Sequence, residues 1–406
     1  MKRPAFLADL APAAFWAGVT AFIWYAFGAV PLHLGVSDQL GLTAAQTSSW
    51  IFIVWFSGAV SSIALTLHYR QPIPITWTIP GLVYIGTLAG DFTYAEVVGA
   101  SLLTGALIVA LGIVGVGGWI MRWLPLPIIL GMFGGSILAY MTRLVGATAE
   151  HFAVAGAAVA GYLVGRVLRS QRVPPVGLAI VTGGVAVAVT GEIQSAQAVA
   201  WTLPQLAVPS ISFSTPAFVA ITLPLLVLSM GMGNVQGLGF LAAQGYQVPV
   251  NRITVVVGIN SLVNALLGGH PAIVARTGVA IVASPDAGPI ARRYWANLVA
   301  AGLTVVIALA AMPVSSLLAV LPRAYIVTLA GLAILPAFQD ALEKSLGTGR
   351  LRMGTVVAFL VAATPLTFVG ITSAFWAIVA GLMISVLVER DDLFQYWQVR
   401  EPARQQ

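Results

Sequence analysis

The chain has 406 residues, 59% of them hydrophobic and 8% charged, with a formal net charge of +6 and no cysteine. Soluble domains carry about 45–50% apolar and about 25% charged residues, and disordered chains are less hydrophobic still, so both classes are excluded. Disulfides, thiol catalysis and cysteine-held metals are excluded with the cysteines.

What remains is an all-α polytopic membrane protein, because the apolar stretches are long runs and not the period-2 alternations of a barrel. Lys2 and Arg3 give a basic start, and the apolar run behind them reaches about Gly35 without a small-residue cleavage site. It reads as a first transmembrane segment at 13–35 and not as a signal peptide. Further segments fall at 47–67, 75–89, 95–117, 124–142, 151–169, 174–190, 216–240, 251–268, 271–285, 294–312, 322–338, 352–369 and 371–388. Fourteen spans of about 20 residues use most of the length and leave no room for a sizeable soluble domain.

With both termini cytoplasmic, 16 of the 19 basic residues fall in cytoplasmic loops and tails. Only Arg143 and Arg323 fall on the other side, and Arg276 lies within the tenth segment. This follows the positive-inside rule and places the chain in the cell (inner) membrane. The lipid bilayer is therefore the expected partner. Nucleic acid is not, since no basic cluster with interleaved aromatics occurs. Trp50, Trp119, Trp123, Trp201 and Trp295 lie near segment ends and read as interfacial anchors.

Fourteen divides into a seven-plus-seven inverted repeat, residues 1–190 and 216–390, joined by a connector at 191–215 and followed by a cytoplasmic tail at 391–406. Leu124-Pro125 and Leu321-Pro322 stand 197 residues apart, as do Pro74 and Pro271. The third segment reads Gln71-Pro-Ile-Pro-Ile-Thr-Trp-Thr-Ile-Pro-Gly81, and its prolines forbid a continuous helix. The tenth reads Gly268-Gly-His-Pro-Ala-Ile-Val-Ala-Arg-Thr-Gly278, with the same order of break, extended piece and helix start. Interrupted segments at matching places in two halves point to a transporter site, and two half-helix N-termini suit an anion.

Arg276 is the sharpest single residue. A charge inside the membrane is costly, and its guanidinium either grips a planar carboxylate or bonds backbone carbonyls. In the eighth segment, Met230, Met232, Asn234 and Gln236 form either a pocket wall with two amides or a glycine-mediated packing face. Asn260 and Asn264 read as glue between helices. His33 and His270 are candidates for proton coupling, or structural histidines. All 13 acids, including Asp91, Glu96, Glu150, Asp286, Asp340 and Glu343, fall in loops, tails or segment ends. No nucleophile–base set, paired carboxylates or metal-ligand spacing appears, so no enzyme, cofactor or metal is expected.

The stretches Gly233-Asn-Val-Gln-Gly-Leu-Gly-Phe-Leu241, Gln244-Gly-Tyr246, Pro249-Val-Asn-Arg252, Asn260 to Asn264 and Gly268 to Val279, together with Gln71 to Gly81, resemble the benzoate:proton symporter family over nearly the whole chain. That family is distantly similar to nucleobase/ascorbate and sulfate-permease-like transporters. The resemblance implies a core domain from segments 1–4 and 8–11, and a gate domain from segments 5–7 and 12–14. It also implies homodimers joined through the gates, and an elevator motion of core against gate.

In the nucleobase relatives, segments 1, 3, 8 and 10 touch substrate. Carried over, Ala29 matches the small contact residue of segment 1, and Met232 stands where those relatives keep a base-binding glutamate. A second glutamate falls near Ala275 and Arg276. Losing two acids and gaining Arg276 turns a site for a neutral base into one for an anion.

The expected activity is import of benzoate or a similar aromatic carboxylate with protons. The carboxylate would meet Arg276 and the half-helix N-termini. The ring would lie against Ala29, Trp77, Ile79 and Met232 beside Gly233. Thr78, Thr277, Asn234 and Gln236 would supply hydrogen bonds. The alternatives are a passive anion uniporter or channel on the same scaffold, or a nucleobase or inorganic-anion transporter.

Overall fold

The computed structural model describes residues 10–115, 125–170, 173–193, 199, 201–347 and 349–399. Lys2, Arg3, Trp119, Arg122, Trp123, Arg172, Arg400 and Arg404 lie outside them. Helix α1 (Pro12–Gln39) starts on a proline, where a missing N–H costs nothing. Helix α2 (Ala44–Tyr69) opens on a capping box between Thr43 and Gln46. Strand β1 (Ile75–Trp77) leads into α3 (Ile79–Thr87). Helix α4 (Tyr94–Val114) opens on a second capping box, between Thr93 and Glu96. Then come α5 (Leu126–Glu150), α6 (Ala157–Leu168) and α7 (Pro175–Thr190).

After the connector, α8 (Thr215–Ala243) runs as one helical path through π turns at Phe218–Thr222 and Leu228–Asn234. Helix α9 (Val250–Leu266), strand β2 (Ala272–Val274) and helix α10 (Arg276–Val282) follow. The chain continues through α11 (Tyr294–Leu309), α12 (Ala311–Val320), α13 (Arg323–Gly347) and α14 (Arg352–Ala363). A small hairpin, β3 (Thr367–Phe368) with β4 (Ile371–Thr372), precedes α15 (Ser373–Val388) and α16 (Arg390–Val399). Among the described residues six helices are long and apolar enough to cross a bilayer, or eight if two bent pairs each count as one span. The bends are 54° between α11 and α12 and 104° between α15 and α16. Helix α12 fills a stretch that reads as a loop between apolar segments, and α16 fills the start of the tail.

The third and tenth segments meet at the centre. Strands β1 and β2 pair antiparallel, Ile75 with Val274, Thr76 with Ile273 and Trp77 with Ala272. The ladder continues one residue each way: Thr78 N–H donates to Pro271 O at 3.0 Å, and Ala275 N–H to Pro74 O at 2.9 Å. Pro74 and Pro271 lack an N–H, so each end is closed by a single bond. The outer edges are served by side chains. Ser62 Oγ accepts from Ile75 N–H at 2.8 Å and donates to Ile75 O at 3.0 Å. Ser261 Oγ accepts from Ala272 N–H at 2.9 Å, and Asn234 Oδ1 from Val274 N–H at 2.9 Å. Extended backbone inside an apolar protein is tolerated because these partners take up its polar groups.

Strand β2 begins 197 residues after β1, and α10 197 after α3; α13 both begins and ends 197 residues after α5. Thr76 therefore faces the residue 197 positions beyond it, the pairing a two-fold relation between halves would produce. Helix α4 packs on α9, α2 on α11 and β1, and α1 on α3 and α11. Helix α5 packs on α13 and α14, α6 on α7, and α14 on α15, with α1 bridging to α13.

Candidate functional site

The first turns of α3 and α10 leave the two ends of the ribbon and are flanked by α1 and α8. On the α3 side, Thr78 is fully buried, and its hydroxyl accepts from Gly81 N–H at 3.1 Å. That capping bond occupies one of the N–H groups that the sequence reading leaves free for an anion. Helix α10 begins at Arg276 with Ala275 as its uncapped start, and Ala275 is buried in the ladder. Thr277 is exposed.

Arg276 is one-third exposed, with a side-chain accessibility of 32%. One guanidinium nitrogen donates to Gln236 Oε1 at 3.0 Å, and the other contacts Asp340 Oδ2 at 3.4 Å. Asp340 is also held by Lys344, one turn on, at 2.5 Å. Asp340 stands at the end of the apolar stretch, as an acid at a segment end, but the helix α13 continues past it to Gly347. Only the distance in sequence hid the pairing.

Ala29 and Trp77 belong to one buried cluster, and Ile79 and Met232 pack against it. The two amides separate. Gln236 reaches Arg276, whereas Asn234 is buried with its carbonyl on Val274 N–H and its amide on Met230 Sδ at 3.3 Å. Asn234 thus serves the ribbon, its carbonyl held by Val274 N–H. Gly233 is a close approach: a Cβ there would overlap Ile273. Both residues lie against the strand β2. Asn260 and Asn264 bond Ser61 and Ser57 of α2, and Asn264 also holds His270 O at 3.0 Å.

Behind the ribbon lies an aromatic group that sequence reasoning missed. His33 and His270 are fully buried with ring centroids 5.6 Å apart. Trp50, Trp55 and Trp77 surround His33, and Trp55 lies 4.2 Å from Trp77. Trp50 is 1% exposed and donates Nε1–H to His270 Nδ1 at 2.8 Å, so it is no interfacial anchor. Trp295 is also buried, while Trp201 is exposed. His33 Nδ1 bonds Ala29 O at 2.9 Å. A carbonyl only accepts, so the proton of neutral His33 is on Nδ1; Trp50 only donates, so that of neutral His270 is on Nε2. Both Nε2 atoms are buried without a hydrogen bond among the described residues, as are Tyr25 Oη and Trp55 Nε1. A tryptophan near a segment start signals an interface by position alone; its burial required the tertiary contact.

A cavity of about 390 Å³ lined by His151, Gly191, Glu192, Ile193, Pro322, Arg323 and Ala324 contains none of these residues. It opens at the start of α13, about 25 Å from Asp340 at 1.5 Å per helical residue.

The fold is that of helical membrane transporters. The chain superposes on the transmembrane domain of the cyanobacterial bicarbonate transporter BicA with a TM-score of 0.56, at 18% identity over 96% of this chain and 98% of that one. It superposes on the murine anion transporter Solute Carrier 26 family member A9, in its inward-facing state, with a TM-score of 0.57, at 14% identity over 97% and 69% of the two chains. Residues 8–387 match the family described as benzoate membrane transport protein, and the chain belongs to that family. It is 32% identical to the inner membrane protein YdcO of Escherichia coli over 86% of this chain and 90% of that one. It is 25% identical to the benzoate membrane transport protein of Acinetobacter baylyi over 90% and 93%. The protein is a membrane transporter.

Proposed function

We propose that this transporter imports benzoate, or a similar aromatic carboxylate, together with protons across the inner membrane. The observation that carries the reading is Arg276: a guanidinium at the first turn of an interrupted segment, aimed by Gln236 and partly open; Trp77, Ile79 and Met232 are assigned as the apolar wall. A planar fork matches a carboxylate, and the aromatic ring takes the apolar wall. The function needs no cofactor or metal.

In this reading the chain is a seven-plus-seven inverted repeat of fourteen segments with both termini cytoplasmic. The 197-residue offset of the ribbon, the half-helices and α5 with α13 supports the repeat. Segments 1–4 and 8–11 form the core, and segments 5–7 and 12–14 form the gate. The packing of α4 on α9 and of α2 and α1 on α11 on one hand, and of α5 on α13 and α14, α6 on α7 and α14 on α15 on the other, supports this division, with α1 touching both sets. The core slides against the gate, and two copies pair through their gates. His33 and His270 carry the proton: one Nε2 offers a lone pair, the other a hydrogen, and both are buried together.

The test is uptake of radiolabelled benzoate into proteoliposomes under an inward proton gradient, beside empty liposomes. Accumulation collapsed by a protonophore is expected. Equilibration indifferent to the gradient would favour a uniporter, and no protein-dependent flux would reject the substrate.

A further inference from the structure

Arg276 is not waiting empty-handed. Its partner Asp340 belongs to α13, in the gate grouping, while Arg276 opens α10, in the core grouping. The contact is a single 3.4 Å approach between groups each 32% exposed, longer than the bond to Gln236. Asp340 offers its other oxygen to Lys344 at 2.5 Å, so it keeps a cation when Arg276 departs. A partly exposed, one-pronged ion pair is worth little. A bidentate carboxylate takes its place at no net loss of charge pairing.

We infer that Asp340 is a built-in competitor for the substrate's carboxylate. In the unloaded protein it ties α10 to α13 through Arg276; a bound carboxylate takes the guanidinium, Asp340 falls back on Lys344, and the tie between the two groupings is released. The inference rests on the anion-binding reading of Arg276 above. It predicts effects of opposite sign from two residues on the same helix. Removing the competitor with Asp340→Asn tightens binding, whereas Lys344→Met takes away the competitor's fallback and weakens it.

The experiment is titration of benzoate into purified, monodisperse full-length protein by calorimetry, for wild type, Arg276→Gln, Asp340→Asn, Asp340→Ser and Lys344→Met. Asp340→Ser keeps the test open if the asparagine variant does not fold. The expected result is loss of binding in Arg276→Gln. The dissociation constant should fall about three- to fivefold in the Asp340 variants, the scale of an ion pair this exposed, and rise in Lys344→Met. If Arg276→Gln loses binding while the Asp340 variants bind as wild type or more weakly, the competitor is rejected and the anion site stands. If Arg276→Gln binds as wild type, the anion site falls and the inference with it.

Discussion

The ribbon holding both half-helices depends on two serines at corresponding places, and deleting either hydroxyl should loosen it. Ser62→Ala removes the acceptor of Ile75 N–H and the donor to Ile75 O, at a site 3% exposed. Ser261→Ala removes the acceptor of Ala272 N–H, at a fully buried site. An orphaned buried N–H costs about 1–3 kcal/mol, which is about 5- to 150-fold in an opening equilibrium at about 1.4 kcal/mol per factor of ten. The chain has no cysteine, so one reporter thiol suffices. Ser229→Cys is suited to this, because Ser229 is fully buried on α8 and its hydroxyl has no hydrogen-bond partner among the described residues. Maleimide labelling slow relative to reclosing reads the open fraction directly. In that background Ser62→Ala and Ser261→Ala should label on the order of 30-fold faster. Ser136→Ala serves as the control, since among the described residues its hydroxyl bonds only Met132 of its own helix. Labelling of both ribbon variants at the control rate would refute the claim that these hydroxyls sustain the ribbon.

Three more outcomes follow from particular contacts. A Cβ at Gly278 would overlap the Tyr25 hydroxyl, so Gly278→Ala should abolish benzoate uptake; Tyr25→Phe in the same chain should restore part of it. Thr78→Val should destabilise the α3 start by about 1 kcal/mol, and Thr78→Ser should cost much less, read as labelling of the same reporter thiol. Trp50→Phe removes the donor that fixes the His270 tautomer while keeping most of the packing. It should lower gradient-driven uptake more than benzoate affinity, and an equal loss of both would contradict a proton role for the His33–His270 pair.

Much of this architecture is legible in the chain. Pro72 and Pro74, and the Gly268-Gly-His-Pro271 break, forbid helix at two places, and both places carry a strand followed by a short helix, with Pro80 in the first turn of α3. The 197-residue spacing of Pro74 and Pro271 recurs in the register of β1 against β2. Arg276 is conspicuous as a charge within an apolar stretch. What it touches is not: Asp340 is 64 residues away, on a helix whose apolar run has already ended. Asn234 looks the same in sequence whether it faces a ligand or a strand edge, and only the ribbon's need for an acceptor at Val274 decides it. Trp50 likewise stands where an interfacial anchor would, and its indole is claimed by a histidine 220 residues later.

The central claim is that Arg276 reads the negative charge of an aromatic acid, and one competition measurement addresses it. Saturable uptake of labelled benzoate is challenged with unlabelled benzoate and with benzamide, its neutral analogue of nearly equal shape, in wild type, Arg276→Lys and Arg276→Gln. In wild type, benzoate should compete and benzamide should not. Arg276→Lys should recover little, since a point charge does not replace a planar fork. Arg276→Gln should lose the uptake. Equal competition by benzamide and benzoate in wild type, or undiminished benzoate uptake in Arg276→Gln, would contradict the account.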